Sequence, residues 1–338
     1  MSRASAMAMV RKCRPPFDPV SMFKALILQA QHNPSDAKME FMIRDRLSWM
    51  RFLGFDLGAP TPDENAIRHF RNRLTETGAL KRVMKAFDWQ LHKKGYIPMS
   101  GQIVDARLIP APKQRNTDAE KDAIKAGKSA SEIWPDEPNK AAQKDTNARW
   151  TLKIGGKVRY RPDATPLPMI ATPVFGYKSH ISIDRRFGFI RESAVTSAAA
   201  PDGRMLLQHL CDENTSMEVW ADTAYRSQSN EKWLAKNAFI SSIHRRKPNG
   251  KPMPKPTRSA NFKKSSIRAR VEHVFAHQKN RFALFIRTIH WPTGDCRQSP
   301  RGGLARAEAK LALAKLALAN LAYNFDRLIF QERRYAMG

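Results

Sequence analysis

Gln102-Ile-Val-Asp-Ala-Arg-Leu-Ile109 marks the point at which the pattern of this chain changes. Upstream, apolar residues recur three and four apart, the period of helices. Here they crowd into a short run that follows Gly101 and stops at Pro110 and Pro112, which reads as a buried strand. Inside the run stands a lone acid, Asp105. Met217-Glu-Val-Trp-Ala-Asp222 repeats the theme, an apolar strand that carries Asp222. A buried carboxylate is costly unless it is paired or holds a metal ion. A third isolated acid, Glu272, lies in the basic helical stretch Ser266-Ile-Arg-Ala-Arg-Val-Glu-His-Val-Phe-Ala-His-Gln-Lys279.

Between these acids the elements follow a definite order. Gly176-Tyr-Lys-Ser-His-Ile-Ser-Ile183 and Gly188–Thr196 alternate around a turn at Asp184–Phe187, the pattern of paired strands. Asp202–Cys211 predicts a helix, 217–222 a strand, Asn230–Lys236 a helix and Phe239–His244 a strand, before the Glu272 helix. This is the element order of a ribonuclease-H-like α/β fold, a mixed sheet flanked by helices. It places Asp105 and Asp222 on adjacent central strands and Glu272 on a helix over the sheet. Residues 113–170 are polar with little periodicity and predict a loosely structured excursion. Residues 245–266 contain Arg245, Arg246, Lys247, Lys263 and Lys264 but no acid, and predict a Pro-rich basic loop.

The first hundred residues read as all helical. Asp18-Pro19 starts a helix, Pro34-Ser35 a second, and Leu47–Leu53 a third that ends at Gly54. Thr61-Pro-Asp-Glu64 reads as a capping box. The helix it begins is expected to bury Ile67, Phe70 and Leu74 and to expose Arg68, Arg71 and Arg73. Such helices fit a helix-turn-helix DNA reader or a plain bundle with arginines on its wet face. At the other end Leu304, Leu311, Leu318 and Phe325 recur every seven residues, with Leu321 and Leu328 beside them. That seam closes a domain core or forms a dimer. The expected divisions are a helical, DNA-binding domain over 1–97, a ribonuclease-H-like domain over 98–290, and an irregular segment with a C-terminal helix over 291–338.

Charge narrows the partner. The 338 residues carry 59 Lys and Arg against 31 Asp and Glu, a formal net charge of +28. That excess calls for a polyanion, nucleic acid before a membrane surface. Cys13, Cys211 and Cys296 are odd in number and far apart, which fits a reducing cytosol better than a disulfide framework or a zinc site. Met1–Val10 has no apolar core for a signal peptide, and charges interrupt Leu304–Phe330, so no membrane association is expected.

Three acids brought together resist ionising at once unless a cation intervenes. Mg²⁺ takes oxygen ligands and tolerates phosphate as one of them. Two such ions about 4 Å apart serve the attacking and leaving oxygens of a phosphodiester. Each acid also has a plainer reading. Asp105 could cap a turn at a strand end, Asp222 could cap the segment from Ala224, and Glu272 could pair with Arg268 one helical turn away.

With these residues in view, the chain resembles bacterial insertion-sequence transposases of the DDE type, specifically the insertion-sequence-five group. Arg14-Pro-Pro-Phe-Asp-Pro, Arg51-Phe-Leu-Gly and Pro62-Asp-Glu-Asn-Ala-Ile-Arg-His-Phe-Arg71 resemble that group's helical domain. Val104-Asp105-Ala, Phe175-Gly-Tyr-Lys-Ser-His180 and Trp220-Ala-Asp-Thr-Ala-Tyr-Arg226 resemble its catalytic strands. Arg268, Glu272 and Lys279, separated by three and six residues, match its C-terminal signature. Ser265 stands where the group often has tyrosine, and the amino end reads as short for the group. His290–Arg301 and the Leu311–Ala319 repeat read as a local insertion or frame alteration.

The resemblance implies that Asp105, Asp222 and Glu272 form a catalytic triad holding two Mg²⁺ ions, with Mn²⁺ able to substitute. It implies that Arg268 and Lys279 contact transposon-end phosphates or orient Glu272. Arg68, Arg71, Arg245, Arg246, Lys247, Lys263 and Lys264 are the further expected DNA contacts. The expected activity is cleavage at terminal inverted repeats of double-stranded DNA and strand transfer into target DNA, by a homodimer on paired ends in the bacterial cytoplasm at the nucleoid. The alternatives are a non-catalytic DNA-binding protein and a ribonuclease-H-like nuclease without strand transfer. Tyr225, near Asp222, is read as a packing or phosphate-contact residue rather than a nucleophile.

Overall fold

Asp18 accepts a hydrogen bond from the Ser21 amide at 2.8 Å and Pro19 takes the first helical position, so α1 (Pro19–His32) begins where its sequence directs. The computed structural model describes residues 17–154, 171–248, 250–284 and 307–336. After α1 come α2 (Asp36–Asp45), capped by Ser35, and α3 (Leu47–Leu53), which ends at Gly54 with φ +81°. Then follow α4 (Glu64–Glu76) and α5 (Ala79–Lys93). The expected capping box is not formed. Asp63, not Thr61, caps α4 by accepting from the Ala66 amide at 2.7 Å, while Glu40 on α2 takes the Glu64 amide at 2.8 Å.

The α4 surface needs a second correction. Arg71 is buried at 2% exposure, while Arg68 is half-buried and Arg73 exposed. The Arg71 guanidinium forks onto Asp36 at 2.7 and 2.8 Å and donates to the Gln29 side-chain Oε1 at 3.0 Å. Residues four apart share a helix face, so Arg71 lies on the stripe of Ile67. Burial works against the Asp36 charge, but the Arg71 fork and the Gln29 amide outweigh it and hold the carboxyl below its ordinary range.

A mixed sheet follows, made of β1 (Gln102–Pro110), β2 (Arg149–Ile154), β3 (Ala171–Asp184), β4 (Ile190–Ser197), β5 (Glu218–Trp220) and β6 (Ile240–Ser241). β1 pairs antiparallel with β3 and β3 with β4, whereas β1–β5 and β5–β6 are parallel. Setting β2 aside, the spatial order is β4-β3-β1-β5-β6. This is the mixed sheet that the element order predicts. β2 is extra, and pairs with the first half of β3 from Ala171 to Gly176.

β2 belongs to the excursion, whose described part, residues 113–154, is better ordered than its composition predicts. α6 (Asp118–Lys125), α7 (Ala130–Ile133) and α8 (Pro138–Gln143) lie between β1 and β2, and capping boxes at Thr117 and Ser129 start the first two. Ile124, Ala130, Trp134 and Ala141 make a small core of their own. The expected helix at 202–211 is a 3₁₀ segment, Asp202–His209. α9 (Gln228–Lys236) separates β5 from β6. α10 (Lys255–Asn280) starts eleven residues before Ser266, so the basic loop is half helix and Lys263 and Lys264 are helical residues.

The closing helix, α11 (Ala307–Ala336), ties the two regions together. Leu318 and Leu321 join the core formed by α1, α2, α4 and α5, and Phe325 meets Phe87 edge to face at 4.9 Å. Ala319, Ala322 and Tyr323 face Ile103 and Ile181 of the sheet and Val271 and Val274 of α10. The heptad seam therefore closes a core within the chain. Leu304 and the expected irregular stretch His290–Arg301 lie outside the described residues, and Leu311–Ala319 is continuous α11 helix. A buried polar clamp adds to the join. Asp184, fully buried, accepts from Arg191 at 3.0 Å, and Arg191 reaches Asp88 of α5 at 2.6 Å and the Tyr96 carbonyl at 2.7 Å. Among the described residues, no helix is long and apolar enough to cross a membrane.

Candidate active site

Alternation along β1 decides where its side chains point. Val104 faces Leu206 and Leu234, while Ile103 faces α10. Asp105 and Arg107 share the Ile103 face and so lie under α10. β5 runs beside β1 with Gln102 opposite Val219 and Ile103 opposite Trp220. Asp105 follows the last β5-paired residue of β1 by two positions and Asp222 follows the end of β5 by two, so the parallel pairing carries both acids toward the same end of the sheet. Gly101 permits the approach of the two strands. It has φ +86°, and a Cβ there would sit 2.5 Å from the Trp220 ring and 2.6 Å from the Glu218 carbonyl oxygen.

Asp105 is 7% exposed. Its Oδ2 accepts from Arg268 at 2.6 Å, and its Oδ1 from the Ala106 amide at 2.9 Å. Burial raises its pKa, Arg268 and the amide work against that, and Asp222 and Glu272 push further upward, to about 7. Both other acids are thus near enough to be felt at Asp105. Asp222 lies just past β5 rather than within it, and caps the 3₁₀ turn Thr223–Tyr225 by accepting from the Ala224 amide at 2.7 Å. The capping reading of Asp222 therefore describes its backbone role. Glu272 is exposed on α10. In the alternative reading Glu272 pairs with Arg268; Arg268 pairs with Asp105 instead.

Among the described residues, no group of three or more His, Cys, Asp or Glu stands close enough as placed to hold a metal ion. Arg268 is the cation at Asp105 instead. The donor set still matches a hard divalent ion. Three carboxylates on neighbouring elements repel one another, and at Asp105 burial and that repulsion outweigh the guanidinium, so a further positive charge is favoured there.

Two basic groups beside the acids escaped the sequence reading. Arg107 donates to the Phe275 carbonyl on α10; burial pulls its pKa down and Glu272 pulls it up. His244 lies near Asp222, with its pKa lowered by burial and then by Arg268. The period-two alternation places Arg107 on the Asp105 face, but nothing local marks His244. Arg245, Arg246 and Lys247 are exposed after β6, and Arg246 Nε donates to the Thr223 carbonyl at 3.1 Å, beside Asp222. Lys263 is exposed and Lys264 half-buried on the first half of α10, and Lys279 is exposed near its end. Arg268, Glu272 and Lys279 lie along one flank of α10, whereas Arg68 and Arg71 belong to α4. Tyr225 is buried within the core, with burial and the nearby acids holding its phenol well above its ordinary pKa. That environment favours a neutral hydroxyl and disfavours a nucleophilic phenolate.

The raised Asp105 value carries a pH dependence. A metal ion entering below about pH 7 must displace a proton, so apparent Mn²⁺ affinity is expected to fall about tenfold per unit as the pH drops below that point and to level off above it. Titration calorimetry checks this; constant affinity across the range means that Asp105 stays ionised. Without metal the sign reverses for stability. A group with a raised pKa in the folded state stabilises at low pH, and that contribution is lost as pH rises through about 7.

The mixed sheet, Asp105 on β1, Asp222 just past β5 and α10 packed over the sheet together frame the candidate site. The Transposase domain (DUF772) matches residues 2–73, and the Transposase DDE domain matches residues 163–291. The two domains together cover more than half of the chain, and it belongs to the DDE transposases; this pairing is typical of the insertion-sequence kind. The DDE match contains Asp222 and Glu272 and begins after Asp105. A cryo-EM structure of the piggyBac transposase synaptic complex with hairpin DNA is similar at 12% identity, over 95% of this chain and 78% of that one, with a TM-score of 0.31. That likeness is too distant to equate individual residues.

Proposed function

We propose that the protein is a transposase of the insertion-sequence-five group that cuts the ends of its own element and joins them to target DNA. Asp105, Asp222 and Glu272 are its catalytic carboxylates. The observation that carries this reading is the buried Asp105, close enough to Asp222 and Glu272 for both to raise its pKa, in a chain with a Transposase DDE domain. Asp105, Asp222 and Glu272 would hold Mg²⁺, or Mn²⁺ in its place, which when bound supplies positive charge to the attacking and leaving oxygens of the phosphodiester.

The chain's own residues do the rest. Arg268 holds the Asp105 carboxylate in place and keeps one turn of α10 registered on β1. Arg107 ties β1 to the α10 backbone at Phe275, which fixes the height of Glu272 over the strand. Arg245, Arg246, Lys247, Lys263, Lys264 and Lys279 form the basic surround for the DNA backbone, with Arg68 as a contact on the helical domain. Arg71 serves the fold rather than DNA. The helical region is the end-recognition domain, two copies act on paired ends, and the protein works in the bacterial cytoplasm at the nucleoid.

The test is end-labelled inverted-repeat DNA incubated with protein and Mg²⁺ or Mn²⁺. Nicks at the element ends together with joined products are expected. Nicks without joining indicate a nuclease, and binding without nicks a non-catalytic DNA-binding protein. The second reading has one observation in its favour, the Arg268 guanidinium seated on Asp105.

A further inference from the structure

α10 has a second polar flank. Two residues turn a helix by about 200°, so Arg270 points away from Glu272. Buried Val271, Val274 and Gln278 run between the two flanks. On the Arg270 side lies a cleft of about 480 Å³, to which Arg185, Arg186, Arg270, Arg327 and Arg334 contribute and which no carboxylate lines.

Several arginines of this chain are neutralised by an acid: Arg71 by Asp36, Arg191 by Asp184 and Asp88, Arg226 by Glu231. The cleft arginines are held differently. Arg270 donates to the Arg185 carbonyl at 2.6 Å and Arg327 to the Phe187 carbonyl at 2.5 Å, while Arg185 lies over the Trp220 ring at 4.8 Å. These contacts fix direction without neutralising charge. Arg186 and Arg334 are exposed and make no side-chain hydrogen bond or ion pair among the described residues. Five like charges around one concavity are unfavourable alone and focus the field on an incoming anion. Guanidinium groups bind phosphate oxygens in pairs.

We propose that this cleft is a second binding site for the phosphate backbone of duplex DNA, separate from the acids and on the far flank of α10. Its occupant is a length of DNA other than the phosphodiester being cut, held without base recognition. The inference rests on the reading of the chain as a DNA-acting transposase, and its test distinguishes the two.

The experiment compares the unmodified protein, Arg186→Gln/Arg334→Gln and Arg245→Gln/Arg246→Gln. Binding to a duplex of about 40 base pairs is followed by fluorescence anisotropy with chelator present, at several salt concentrations. Arg186 and Arg334 carry no structural contact, so melting temperature is expected to be unchanged. Loss of two phosphate contacts lowers the slope of log affinity against log salt by about 1.8. A slope equal to that of the unmodified protein overturns the cleft site, including the case in which the cleft takes only small anions such as inorganic phosphate. If Arg245→Gln/Arg246→Gln weakens binding while the cleft variant does not, the cleft inference alone falls. If the unmodified protein binds no duplex, both fall.

Discussion

Asp222→Asn is expected to bind end DNA as the unmodified protein does and to cut it at least about a thousandfold more slowly, roughly 4 kcal/mol of barrier. The substitution is clean because Asp222 has two separable roles. Its Oδ1 caps the turn at Ala224, and an asparagine oxygen accepts that amide equally well. The negative charge it offers toward Asp105 is what asparagine lacks. The fold and the basic surround therefore persist while the carboxylate proposed as a metal ligand is removed. A gel-based cleavage assay beside a binding titration on the same DNA reads both. Undiminished cleavage removes Asp222 from the chemistry, and lost binding shows that the charge serves the fold.

Arg71→Ala is expected to lower folding stability by about 3 kcal/mol, the low end for breaking a buried ion pair, because Asp36 is half-buried and keeps the Gln29 amide. The side chain is 2% exposed and its fork on Asp36 joins α4 to α2. Urea unfolding followed by circular dichroism measures the loss. Replacing both partners by apolar residues, Arg71→Met with Asp36→Leu, recovers much of it, because the uncompensated charge is gone. An Arg71→Ala protein of unchanged stability that fails to bind DNA would return Arg71 to the DNA surface.

That correction shows what a sequence pattern conveys and what it omits. Ile67, Phe70 and Leu74 mark one stripe of α4, and Arg71 falls within it by spacing alone. Residue type pointed the other way, since only a tertiary partner, Asp36, makes a buried arginine tolerable. β1 and β5 were legible as short apolar runs, and β3 and β4 by their alternation around the turn before Gly188, all of them local signals. The excursion misled because α6, α7 and α8 are short and bury few residues, which leaves as cues only the capping boxes of α6 and α7 and the proline that opens α8. The start of α10 was hidden for a related reason. Pro254 and Pro256 resemble loop residues although proline suits a first helical turn, and Phe262 is exposed, so that stretch has no apolar face.

At the site, the three acids stood out by their isolation in apolar or basic surroundings. The partner of Arg268 did not. Its nearest acid in sequence is Glu272, one turn away, whereas its partner in space is Asp105, 163 residues distant. Long-range pairing of this kind follows from the β1–α10 packing that Ile103, Val271 and Val274 establish. The same packing leaves Arg270 and its neighbours on the far flank, where dispersed arginines gather into one cleft.

Asp105, Asp222 and Glu272 are proposed to share divalent cations despite the guanidinium now beside Asp105. Anomalous scattering at the manganese edge, from crystals grown with Mn²⁺ and end DNA, reads this at the atoms themselves. Manganese peaks bound by Asp105, Asp222 and Glu272 are expected, with Arg268 moved off the carboxylate. Arg268 still paired with Asp105, and no manganese at these acids under saturating ion, would contradict that sharing.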